Sequence, residues 1–256
     1  MGPPGEPGTG PAGRRPQGTR ENTVDAFAEA VRIGADGVEL DVRMTADGAL
    51  VVHHDPVVPR VGRIAALPYS ALPQWVPTLD QALVASAGGV VNVEVKISLA
   101  DRAKRAVIAD GVTAALRASP PAENGAGHVV SSFDRDVLDA VRTCDGDVET
   151  ALLFRKQRGD MATVFTALRD GGHGGVHPHH RCLDGRLVDA ARRAGLAVRS
   201  WTLNDEDHIA AAAALGIDGL ITDFPLRALH AIGRLPQGSA TGGFADPGWL
   251  SGTIGA

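Results

Sequence analysis

Short extended runs alternate with helical runs along most of the 256-residue chain, and this alternation limits the possible folds more than any other feature. Strand-like segments fall at 37–43, 90–97, 128–132, 149–154, 174–178, 197–202 and 219–222. In the first of them Val38, Leu40 and Val42 alternate with Glu39, Asp41 and Arg43, the period-two pattern of a strand. Between the strands lie apolar residues at helical spacing. Val24, Phe27, Ala28 and Val31 form one such face, with Asn22 or Thr23 as cap and Gly34 as stop. Others follow from about Asp101 to Ala118, in DRDVLDAVR, around 160–169, and in DEDHIAAAAALG. Strands joined by helices predict a parallel sheet with crossover connections. Seven strands fall one short of a (β/α)8 barrel. The eighth has room only around Gly8 to Arg14, where Gly and Pro make a poor strand. A doubly wound sheet is the alternative, but no GxGxxG or GxxxxGK[ST] follows an early strand.

The segments 1–18 and 236–256 are rich in Gly and Pro, and Ser joins them in the second. They read as a disordered or irregular leading tail and a flexible C-terminal tail, leaving 19–235 as one domain. Residues 56–77 read as an irregular excursion from the alternation. The formal charge is −5 and no long basic run occurs, so nucleic acid is excluded as a partner. Cys144 and Cys182 lie far apart without CxxC spacing, which argues against a disulfide framework or a cysteine-rich zinc site. No stretch of about 18 apolar residues is present, and the start lacks a signal-peptide core, so the expectation is a cytoplasmic protein with no integral membrane segment. Oligomeric state stays open.

Several chemically capable residues stand in or just after strands: Glu39, Asp41, Glu94, Ser132, His177, His179, Trp201 and Asp223. A barrel collects such residues around one mouth. Glu39 and Asp41, two apart on a strand, converge on one side, and Glu94 from the next barrel strand is placed to complete an all-oxygen set suited to a hard divalent cation; an ordinary solvated strand end is the alternative reading. Lys96 is placed to offset the mutual repulsion of the carboxylates. His54, followed by Asp55, ends the extended run 49–55; an imidazole there can protonate a leaving oxygen or orient water. His53 alternates to the other face, so one of the two should reach the site. The HPHH run at 177–180 has no HExxH or cysteine partner and reads as rim histidines or anion donors before zinc ligands. Trp201 is placed to stack on a ligand or simply to pack.

Taken together, ENT at 21–23, GADGVELDVRMTADGALVVHHDP at 34–56, VEVK at 93–96, WTLND at 201–205 and GIDGLITDFP at 216–225 resemble the glycerophosphodiester phosphodiesterase family. The resemblance runs from about residue 20 to 233. It implies a TIM barrel with a small insertion after the second strand, here with a degraded or missing first strand. It also implies hydrolysis of small-molecule glycerophosphodiesters to an alcohol and glycerol 3-phosphate with Ca2+ or Mg2+. By the same resemblance the metal-binding carboxylates fall on Glu39, Asp41 and Glu94, and a catalytic histidine on His54. Lys96 falls beside the phosphate, Trp201 near the glycerol end, and Glu21 and Asn22 at the floor of the site. The family's His-Arg-Gly triplet, nine residues before the glutamate of ENT, falls on Ala12-Gly13-Arg14. Three readings fit: a catalytically impaired member that binds phosphodiesters or metal, a misread start, or a variant in which another group replaces the histidine. Arg14 can still bind phosphate through its planar fork, but arginine stays protonated and does not serve as an acid-base.

Overall fold

The Thr23 hydroxyl accepts a hydrogen bond from the Ala26 N–H and opens α1 (Val24–Arg32), which buries Ala26, Phe27 and Ala30. Val24, counted above with the apolar face, is 40% exposed, because the helix rolls its small residues onto the sheet. The computed structural model describes residues 20–157, 159–234 and 252–254. β1 (Gly37–Met44) follows, and a Thr45–Gly48 turn folds β2 (Leu50–Val52) back on it antiparallel, with Val42 opposite Val52. The excursion then forms a small hairpin, β3 (Val57–Val58) with β4 (Gly62–Arg63), and two 3-10 turns. It has its own apolar cluster of Val51, Val58, Ile64, Leu72 and Val76.

A capping box between Thr78 and Gln81 starts α2 (Leu79–Ala85). Strict alternation then follows. β5 (Val90–Val95) leads through a 3-10 helix (Leu99–Lys104) to α3 (Arg105–Ala118), and β6 (Val129–Ser132) leads to α4 (Arg135–Cys144). The remaining units are β7 (Glu149–Phe154) with α5 (Met161–Asp170), β8 (Gly175–Pro178) with α6 (Gly185–Arg193), and β9 (Ala197–Ser200) with α7 (Glu206–Ala214). β10 (Gly219–Thr222) with α8 (Pro225–Ala231) ends the series. Aspartates 134, 160, 184 and 205 each cap the helix that follows them through a side-chain oxygen.

The seven strands β1-β5-β6-β7-β8-β9-β10 form one parallel ladder surrounded by helices, the (β/α)8-type barrel expected from the alternation. The ring is completed by β11 (Gly252–Ile254), which pairs antiparallel with both β1 and β10. The expected tail over 236–256 therefore contains three residues that belong to the sheet. Three residues are too few to show any period, and what orders them is a pair of open strand edges. The segment around Gly8 to Arg14, where an opening strand had room, lies outside the described residues.

Helix-facing residues of the strands pack with the inner faces of the helices in two clusters. One is built on Phe27, Leu40, Val93 and Leu138, the other on Phe165, Val176, Ile209 and Leu220. β1 and β5 approach closely at their N-terminal ends, away from the cavity. A Cβ at Gly37 would sit 2.1 Å from the Val90 carbonyl oxygen, a contact with backbone that no rotamer relieves. Gly37→Ala is expected to cost about 2–3 kcal/mol in urea unfolding. Gly127→Ala, with nothing within 4 Å of the new methyl, is the control and should leave the midpoint nearly unchanged.

Candidate active site

The β1–β5 register sets Asp41 beside Glu94 and Glu39 beside Asn92. Residues two apart on a strand share a face. Glu39 and Asp41 therefore both turn into the barrel, and Glu94 joins them from the neighbouring strand. One oxygen from each of the three carboxylates lies within 4.8 Å of the others, the only such group of metal-ligating side chains among the described residues. Asp41 and Glu94 are buried, at 4% and 8% exposure. Burial pushes the Glu94 carboxyl above the ordinary carboxylate range; the Lys96 ammonium works against the rise and the Asp41 charge adds to it.

Lys96 extends the same face by two residues. Its Nζ lies 2.6 Å from Glu94 Oε1 and 3.0 Å from Asp41 Oδ1. Burial alone would lower its pKa, but Asp41, Glu94 and Glu39 outweigh that cost and hold it above the usual lysine value. Three carboxylates against one ammonium leave the cluster acidic, and its donors are all hard oxygens. That set could hold a divalent cation of the Mg2+ or Ca2+ type.

Asn22 fixes Asp41 from the start of α1. Its amide nitrogen donates to Asp41 Oδ2 at 2.8 Å, and its carbonyl oxygen accepts from the Asp41 N–H at 3.2 Å. To reach both, Asn22 adopts φ 56°, the left-handed region that asparagine tolerates better than most residues. Just past the end of β2, the strand beside β1, His54 is half exposed, and its Nδ1 bonds Asp55 Oδ1 at 2.9 Å. His53 turns away as the alternation required and packs its ring against Trp75 at 5.7 Å. Arg43 holds this turn by donating to the carbonyl oxygens of both histidines.

The cavity enclosed by these groups measures about 200 Å3 and opens at the C-terminal ends of the strands. Glu21, Asn22, Glu39, Asp41, His54, Glu94, Lys96 and Trp201 all line it, whereas Ser132, His177 and His179, also singled out from the sequence, do not, and Arg14 lies outside the described residues. The Trp201 indole is pinned by its Nε1–H, which donates to the His177 carbonyl at 2.8 Å. The other lining groups include Asp223, held by Asn204 at 2.7 Å, and Arg155, whose guanidinium lies 4.7 Å from the Trp201 ring centre. Sequence reading passed over Arg155, although it follows β7 by one residue and so occupies the position that marked Asp223.

The HPHH run divides. His179 and His180 stack on one another at 4.3 Å near Trp201, whereas His177, paired in register with the cavity residue Leu153, is wholly buried. Neither ring nitrogen of His177 has a hydrogen-bond partner among the described residues, and the same holds for the side-chain polar atoms of Asn92 and Ser131. Burial drives the His177 pKa down to about 3, with the Arg199 charge adding to the fall.

An alternating parallel barrel with a polar cavity at the C-terminal ends of its strands defines a barrel protein of the enzyme type. Residues 9–227 match the glycerophosphoryl diester phosphodiesterase family, and the chain belongs to that family. A glycerophosphodiester phosphodiesterase of Caldanaerobacter subterraneus subsp. tengcongensis is 28% identical over 226 residues, covering 80% of this chain and 89% of the relative. Two solved structures share the fold. A phosphodiesterase of Oleispira antarctica, solved with its product sn-glycerol-3-phosphate, has a TM-score of 0.75 at 23% identity and covers 87% of this chain and 93% of its own. A glycerophosphodiester phosphodiesterase of Parabacteroides distasonis has a TM-score of 0.73 at 22% identity, with 85% and 92% covered.

The neutral His177 makes stability depend on pH. Unfolded, the imidazole takes a proton near 6.5, whereas in the native chain it stays neutral down to about pH 3. Between those values the unfolded state holds more protons, so stability falls with falling pH by up to about 1.4 kcal/mol per pH unit from this residue. His177→Asn should flatten the unfolding free energy measured between pH 6.5 and 4; a profile parallel to the parent's would refute the assignment.

Proposed function

We propose that the protein is a phosphodiesterase that uses Mg2+ or Ca2+ to hydrolyse glycerophosphodiesters to an alcohol and glycerol 3-phosphate. The observation that carries this reading is the convergence of Glu39, Asp41 and Glu94 around Lys96, with His54 lining the same cavity. Family membership and the activities named for the relatives support it. A cytoplasmic location is part of the proposal; no helix among the described residues is long and apolar enough to cross a membrane.

In this reading Glu39, Asp41 and Glu94 hold the cation, which supplies charge neutralisation at the non-bridging phosphate oxygens. The protein's own residues do the rest. Lys96 stays protonated between Asp41 and Glu94 and adds a fixed positive charge beside the phosphate. Asn22 keeps Asp41 from rotating away, and Trp201, held by its indole hydrogen bond, supplies an apolar wall for the glycerol carbons. As water or the glycerol hydroxyl attacks phosphorus and the P–O bond to the alcohol breaks, His54 delivers a proton to the departing alcohol oxygen, its ring oriented by the Nδ1 contact with Asp55.

Ala12, where the family's triplet carries histidine, favours a second reading: a member that binds the diester and metal with little turnover. Glycerol 3-phosphate release from glycerophosphoglycerol decides between them. The hydrolase reading expects release that needs Mg2+ or Ca2+, stops with chelator and falls to background in Glu94→Gln. His54→Ala should lose about 10²- to 10⁴-fold. A parent rate equal to that of Glu94→Gln would overturn the hydrolase reading, and calorimetric binding of the uncleaved diester would then support the second.

A further inference from the structure

Arg43, Arg63 and Arg102 enter one groove from three separate elements: β1, β4 in the excursion, and the 3-10 helix after β5. The groove measures about 600 Å3 and shares the lining residues Glu94 and Lys96 with the carboxylate cavity, so the two adjoin. Its other cations are already committed. Lys96 lies between Asp41 and Glu94, Arg105 reaches Asp134 at 2.6 Å and Asp136 at 3.1 Å, and Arg135 lies 3.8 Å from Asp139 and donates to the Ala167 carbonyl. Asp101, the carboxylate that feels the Arg63 charge, accepts from the Ser98 hydroxyl and lies 3.4 Å from Lys104.

Arg43, Arg63 and Arg102 are left with no carboxylate within 4 Å among the described residues. Arg43 is half-buried and spends its Nε and one Nη on the carbonyl oxygens of His53 and His54. Carbonyls satisfy those donors without neutralising the charge, and its other Nη is left over. Three guanidinium groups facing one space match a doubly charged anion with several acceptor oxygens. The groove also lies on the side of the His54 turn, whose carbonyl Arg43 holds, where the alcohol departs in the proposed reaction.

We propose that this groove binds a second phosphate, carried by the alcohol half of the substrate, and so selects glycerophosphodiesters whose leaving alcohol is itself phosphorylated. The proposal rests on the hydrolase reading for the position of the alcohol. A neutral leaving alcohol such as glycerol would use only the carboxylate cavity. A cationic one such as choline would meet three guanidinium groups that no carboxylate among the described residues contacts directly.

The test compares glycerophosphoglycerol with the same diester phosphorylated on its leaving glycerol, using the full chain with Mg2+ at low salt. The parent should prefer the phosphorylated diester by about tenfold or more in kcat/KM, chiefly through KM, as one or two charge-assisted contacts supply. R63S/R102S should bring the ratio to near one, and R63K/R102K should keep a preference of several-fold. Equal kcat/KM on the two diesters in the parent, or a full preference surviving in R63S/R102S, would overturn the groove while leaving hydrolysis intact. If the parent cleaves neither diester, the hydrolase reading fails by itself and calorimetry with the same two compounds decides the groove. Tighter binding of the phosphorylated diester that is lost in R63S/R102S supports it, and equal binding overturns it.

Discussion

Crowding of like charge in a buried place is the constraint around which this barrel is arranged. Two carboxylates from β1 and one from β5 meet inside the strand ends, where water is scarce and repulsion is weakly screened. Such an arrangement persists only if cations are supplied and the carboxylates are kept from turning away. Lys96 supplies one charge from the same strand face as Glu94. Asn22 supplies the restraint, at the cost of a left-handed backbone at the helix entrance. The parallel pairing that runs from Gly37 opposite Val90 to Val42 opposite Val95 brings Asp41 level with Glu94, and at its start only glycine fits beside the Val90 carbonyl.

Much of this was legible because it is local. Alternation over GVELDVRM and VVNVEVK sets which side chains share a face, and aspartate caps announce the helices. The i, i+2 spacing of Glu39 with Asp41 and of Glu94 with Lys96 then predicts their convergence once the strands are neighbours. What sequence reading missed depends on distant partners. β11 is three residues held by two strand edges that are far from it in sequence. Arg155 becomes a cavity residue only because β7 delivers it beside Trp201. The arginines of the groove lie on elements that only the folded chain brings together.

The halves of the barrel carry different burdens. β1 and β5 concentrate the acidic chemistry, while β8 and β9 bring a neutral buried histidine and an indole fixed on its carbonyl oxygen. Charge is thus dense on one side of the cavity and the other side offers apolar and stacking surface, a division that suits a phosphate joined to a carbon skeleton. The arginine groove extends the polar side outward past Lys96.

The central claim is that the carboxylate cluster is a divalent-cation site, and thermal unfolding against Mg2+ and Ca2+ concentration tests it most directly. A cation that binds only the native chain raises stability as RT ln(1 + [L]/Kd). The midpoint of the parent should therefore climb with either or both cations, and that of Glu39→Gln/Glu94→Gln should stay flat. A parent midpoint that neither cation moves, or an equal rise in the double variant, would contradict the account.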